Sequence, residues 1–174
     1  MAENFEAMLT GGHPNSLGRT IEVVDIVLAD PARFPELYDC YASEDEVVRL
    51  RVSNAMRRVE RENHALLVPY IDRLIGEIGY LDQPSAQWTL AKLFEALEGD
   101  MTAAQRKGAL AIMKRNLAGH DDWIVLNNSM EVLALWARGD AALAAWLRPH
   151  LERLAADSRK SVSRRAAKLL ARHY

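Results

Sequence analysis

The sequence predicts an all-α protein: a short right-handed α-α superhelix (α-solenoid) of about four helical pairs behind a leading helix. Three observations predict it. Apolar residues recur at i, i+4, i+7 and i+11 along much of the chain, which is the spacing of one helical face. These faces repeat at intervals of 38 residues, and a helical pair that cannot bury its own stripe must stack on its neighbours. Nowhere does the chain alternate apolar and polar residues over a β-branched run bounded by turns, as a strand would.

Residues 1–15 form a lead-in in which Phe5, Met8 and Leu9 can share one face of a short helix. The run TGGHPNS that follows is turn-forming, and Ser16 is a candidate N-cap for the leading helix. Leu17, Ile21, Val24 and Leu28 form the expected buried stripe over residues 16–29, and Asp30-Pro31 ends it because the residue before proline is pushed out of the α region. A shorter helix is expected over 32–42, with Pro35 in its first turn, where no N–H is needed. Ser43 and Glu46 have capping-box spacing ahead of a helix that buries Val48, Val52, Ala55, Met56 and Val59. A further helix over 64–80 carries Leu66, Leu67, Tyr70, Ile71, Leu74, Ile75 and Ile78, with Pro69 near its start.

A shift of 38 maps Val48 onto Ala86, Ile124 and Val162, and Met56 onto Phe94, Val132 and Leu170. The leading helix fits the same template at a shift of 31. The copy at 121–138 departs from it, because Asn128 and Glu131 fall where apolar residues belong. Rotating that helix by one position instead buries Val125, Ser129, Val132, Leu133 and Trp136.

A proline early in one helix, an Asp in the turn, then Val, Arg and small residues in the next helix resemble the HEAT-repeat family of armadillo-type superhelices. The clearest copy is PHLERLAADSRKSVSRRAAKLL, with Asp157, Val162, Arg164 and Ala166-Ala167, and a second runs from Pro35 to Met56. Gln87 and Val125 depart from the pattern where Arg49 stands in the second copy. The resemblance implies one domain, 1–174, with a half unit at 16–30 and units at 31–62, 64–98, 102–138 and 140–173. It also implies that the second helix of each unit lines a concave groove. On that groove the candidate partner-binding residues are Arg51, Asn54, Arg58, Trp88, Lys92, Asn127, Glu131, Arg165 and Lys168. The resemblance specifies a shape and no chemistry.

Composition narrows the function classes. The net charge is -2, so no global field draws the chain to nucleic acid or an anionic membrane. One cysteine, Cys40, excludes an intramolecular disulfide and a cysteine metal cluster, and points to a reducing, cytoplasmic setting. No apolar run approaches the length of a membrane span. Charge is nonetheless uneven: residues 1–42 carry 2 basic and 7 acidic side chains, and residues 157–174 carry 6 basic and 1 acidic. Arg159 and Lys160 stand out because they precede a helix, where the dipole disfavours cations. Asn15, Ser16 and Arg19 in GGHPNSLGR form a candidate anion-binding loop, though the lysine and preceding strand of a phosphate-binding loop are missing. Asp121, Asp122, Glu131 and His150 match no metal-ligand spacing, and no catalytic grouping is visible, so no cofactor is expected.

The expected function is therefore a non-enzymatic scaffold or peptide-binding module with a protein partner, acidic in character. The alternative is a nucleic-acid-binding protein, since HEAT-like folds include DNA repair glycosylases. Weak self-association through the acidic N-terminal and basic C-terminal ends is a further expectation.

Overall fold

Helices and 3₁₀ turns, with no strand, make up the computed structural model over the residues it describes, 3–174. The chain divides into two compact units, Met1–Met101 and Thr102–Tyr174.

In the first unit, α4 (Glu46–Glu62) is central and packs against α2 (Thr20–Ala29) and α6 (Pro84–Leu97). Its stripe is the expected one, with Val48, Val52, Ala55, Met56 and Val59 all fully buried. Burying an aliphatic side chain of this kind contributes about 1.5–3 kcal/mol. On α6 the mapped residues Ala86, Leu90, Leu93 and Phe94 are buried in turn. The short helices α1 (Phe5–Leu9) and α3 (Phe34–Asp39) add Phe5, Met8, Leu9, Phe34 and Leu37 to the same core. Cys40 is buried beside them, its thiol donating to the Glu36 carbonyl at 3.2 Å.

Three local expectations are corrected in this unit. The leading helix begins at Thr20, and it buries Thr20, Val23, Val24 and Val27 while Leu17 and Ile21 are 39% and 41% exposed. Gly18 has φ +51°, a left-handed conformation that keeps residues 16–18 out of the helix. Ser16 accordingly closes a turn, accepting from the Gly18 N–H. The cap of α4 is Asp45, which accepts from the Val47 N–H at 2.8 Å, while Ser43 accepts from the Asp45 N–H one step earlier. Residues 64–80 are not one helix: 3₁₀ turns at His64–Leu66 and Val68–Tyr70 lead to a single short α5 (Ile71–Gly76) and a last turn at Ile78–Tyr80. Pro69 can sit at the start of a turn and cannot donate within a continuous helix.

In the second unit, α7 (Ala103–Gly119) starts from a complete capping box between Thr102 and Gln105. Asp122 caps α8 (Trp123–Trp136) by accepting from the Ile124 and Val125 N–H groups. On α8 the rotated stripe is the observed one: Val125, Ser129, Val132, Leu133 and Trp136 are buried, and Ile124, Asn128 and Glu131 sit at the margin. Asp140 caps α9 (Ala141–Ala155), which carries Pro149 in its interior, and α10 (Lys160–His173) packs on both α8 and α9. Among the described residues no helix is long and apolar enough to cross a membrane.

Candidate partner-binding site

α10 is built to show one face. Val162, Ala166 and Leu169 turn inward. Arg164, Lys168 and Arg172 recur every fourth residue on the outside, about 6 Å apart along the axis. Beside them, Glu131 of α8 forms an ion pair with Arg165. Together with Ser161 and Leu169 these side chains enclose a depression of about 250 Å³. Arg164, Lys168 and Arg172 have no hydrogen-bond or ion-pair partner among the described residues. The depression thus holds four cations and one carboxylate, and that carboxylate is already paired.

Arg159, by contrast, is accounted for locally. Its guanidinium grips Asp157 with Nε at 2.8 Å from Oδ1 and Nη2 at 2.7 Å from Oδ2, and it also donates to the Asp121 carbonyl. The grip holds the Asp157 carboxyl down at about 2. A cation at the start of α10 is therefore neutralised before the helix dipole can oppose it.

Most of the other sequence-derived candidates are engaged elsewhere. Arg51 is 2% exposed and donates to four backbone carbonyls: Leu9 and Gly11 from Nη1 at 2.6 Å each, Ser16 from Nε at 3.1 Å and His13 from Nη2 at 3.3 Å. The loop 9–16 wraps this guanidinium and turns oxygens toward it. That polarity suits a cation, so the candidate anion loop is a cradle for Arg51. Within the same loop, the Asn15 N–H donates to His13 Nδ1, and Arg19 is forked between Glu3 and Glu22. Asn54 accepts from Arg58 Nε at 2.7 Å. Lys92 pairs with Glu95 at 3.1 Å, and its carbonyl accepts from Arg57. Trp88 lines a shallow apolar depression of about 190 Å³ with Pro14, Val47, Leu50 and Pro84. Asn127 is 5% exposed, its Oδ1 without a partner among the described residues. Of the groove candidates, α8 and α10 bring together Glu131, Arg165 and Lys168, and the spacing that adds Arg164 and Arg172 to them was present in the sequence.

No group of three or more His, Cys, Asp or Glu among the described residues is placed to hold a metal ion. His150 stacks on Trp146, with ring centroids 4.1 Å apart, and burial together with Arg153 and Lys114 pushes its pKa down. None of the protein-family models, curated proteins or solved structures compared with the chain matches it.

Proposed function

We propose that this chain is a non-enzymatic interaction module that binds an acidic peptide segment on the outer face of α10. One observation carries the reading: three cations at fourth-residue spacing with no internal partner, arranged beside a depression and next to a fourth that Glu131 orients. Cations needed only for stability tend to be tied to carboxylates or carbonyls, as Arg51, Arg153 and Arg159 are. An extended peptide places alternate side chains about 6.7 Å apart on one side, close to the rise between these cations. We also read the helices that begin at Glu46, Pro84, Trp123 and Lys160 as the second helices of successive HEAT-type units, which makes α10 the second helix of the last unit.

The test is fluorescence anisotropy with a labelled peptide of alternating Glu and Ser, alongside a labelled DNA duplex, at low and physiological salt. The peptide is expected to bind, and Arg164→Glu with Lys168→Glu to weaken it at least about tenfold with the thermal melt unchanged. No peptide binding at low salt would overturn the reading. Duplex bound more tightly than peptide, with affinity falling steeply as salt rises, would replace it with nucleic-acid binding.

A further inference from the structure

Arg172 belongs to two depressions. The second, also about 250 Å³, lies where the 3₁₀ turn after α8, the start of α9 and the end of α10 meet. Its floor is apolar, from Ala134, Ala144 and Leu147, and its polar lining is the Arg138 and Arg172 guanidiniums and the His173 imidazole, with no Asp or Glu side chain among them. The Tyr174 hydroxyl closes one side by donating to the Ala144 carbonyl at 2.6 Å. Arg138, like Arg172, has no hydrogen-bond or ion-pair partner among the described residues.

The two depressions call for different anions. The groove along α10 contains Glu131 and spreads its cations along a line, which suits single carboxylates in series. The second gathers two guanidiniums and an imidazole around one small volume. A lone side-chain carboxylate would leave one of the two guanidiniums uncompensated. A phosphomonoester carries a charge of about -1.5 to -2 at pH 7 and three acceptor oxygens, enough to engage both guanidiniums and the imidazole. The volume falls below the roughly 300 Å³ at which pockets begin to take whole small molecules, so it fits one side chain rather than a nucleotide.

We propose that this second depression is a phosphoryl subsite, and that it reads a phosphorylated Ser or Thr in the acidic segment lying along α10. The proposal rests on the acidic-peptide reading above and adds a chemical identity at one position of the partner. Because the depressions share Arg172, the phosphorylated residue sits at the end of the segment nearest the C-terminal end of α10.

The experiment compares the Glu-Ser peptide with the same peptide phosphorylated on a terminal Ser, against the full chain and against Arg138→Gln. Arg138 lines only the second depression. Phosphorylation is expected to tighten binding about tenfold, the scale of one charge-assisted pair. Arg138→Gln should remove that gain and leave the unphosphorylated peptide as it was, with circular dichroism confirming an unchanged fold. Equal binding of the two peptides, or a gain that survives Arg138→Gln, overturns the subsite and leaves the acidic-peptide reading standing. A 5′-phosphorylated single-stranded oligonucleotide bound more tightly than the phosphopeptide overturns it in favour of a nucleic-acid end. Failure of both peptides to bind overturns both readings.

Discussion

The two units use positive charge in opposite ways. The first, Met1–Met101, carries 9 basic and 18 acidic residues; the second, Thr102–Tyr174, carries 13 and 6. In the first, every basic side chain except Arg61 has a partner among the described residues: carbonyls for Arg51, Gln83 for Arg49, Asn54 for Arg58, and carboxylates for the rest. In the second, Lys107, Arg138, Lys160, Arg164, Lys168 and Arg172 have no such partner among the described residues. A cation surrounded by excess acid is drawn into the structure. A cation in excess stays available to something outside it. The same residue type therefore means scaffold in one unit and surface in the other.

The sharpest way to break this contrast is to truncate one cation from each unit. Arg51→Ala leaves four backbone carbonyls, that of Leu9 buried, without their donor and should cost about 2–4 kcal/mol, read as a lower urea midpoint. Arg51→Lys should recover little, since a point charge cannot reach four acceptors as the planar fork does. Lys168→Ala should move stability by no more than about 0.5 kcal/mol while weakening the acidic peptide. Similar losses of stability from both alanine variants would erase the distinction.

A smaller effect is expected at Gly18. It has φ +51°, and a Cβ there would lie 2.9 Å from Arg51 Cζ, so Gly18→Ala meets both backbone strain and the stapled guanidinium. A loss of about 2 kcal/mol in the same titration is expected. If Gly18→Ala costs nothing in an Arg51→Ala background, the clash is the whole effect; a remainder measures the backbone.

The smallest effect comes from a histidine, and it has a sign. His64 lies between Glu60 at 2.9 Å and Asp100 at 2.7 Å, and these carboxylates, Asp100 first, raise its pKa above the usual 6.5. The imidazolium is favoured in the folded state, so the bridge contributes fully below about pH 6.5 and is lost as pH rises through the raised value. With 40% of the side chain exposed, the contribution should not exceed about 1 kcal/mol. His64→Gln should flatten the fall in stability above pH 6.5. A wild-type curve that rises over that window would contradict the assignment.

How much of this was legible in the sequence depended on whether a signal was local. The helices beginning at Glu46, Pro84 and Trp123 and the buried stripes of α4 and α6 follow from apolar spacing alone. So does the rotated face of α8, because Val125, Val132 and Leu133 outweigh a template that would bury Asn128 and Glu131. The leading helix was misplaced because two stripes share Val24, and the more apolar one needs Leu17 and Ile21. Gly18 decides between them through a backbone conformation that a stripe does not encode. Arg51 reads as the wet side of an amphipathic helix, since its acceptors lie 35 to 42 residues away in a loop whose fold depends on it. The groove on α10 was half legible: Arg165 and Lys168 were picked out from repeat equivalence, and the fourth-residue spacing adds Arg164 and Arg172. Whether each is paired becomes visible only once the helices pack.

The lone cysteine gives the first unit a clock. Burial, helped by the nearby charges of Glu6, Glu36 and Asp39, pushes the Cys40 thiol up to about 12, so at neutral pH the folded chain holds almost no thiolate. Because the side chain is also buried, an alkylating reagent reaches it chiefly when this part of the chain opens. With no second sulfhydryl in the sequence to confuse the signal, the labelling rate counts those openings directly. Each substitution in the Arg51 cradle can then be timed as well as weighed.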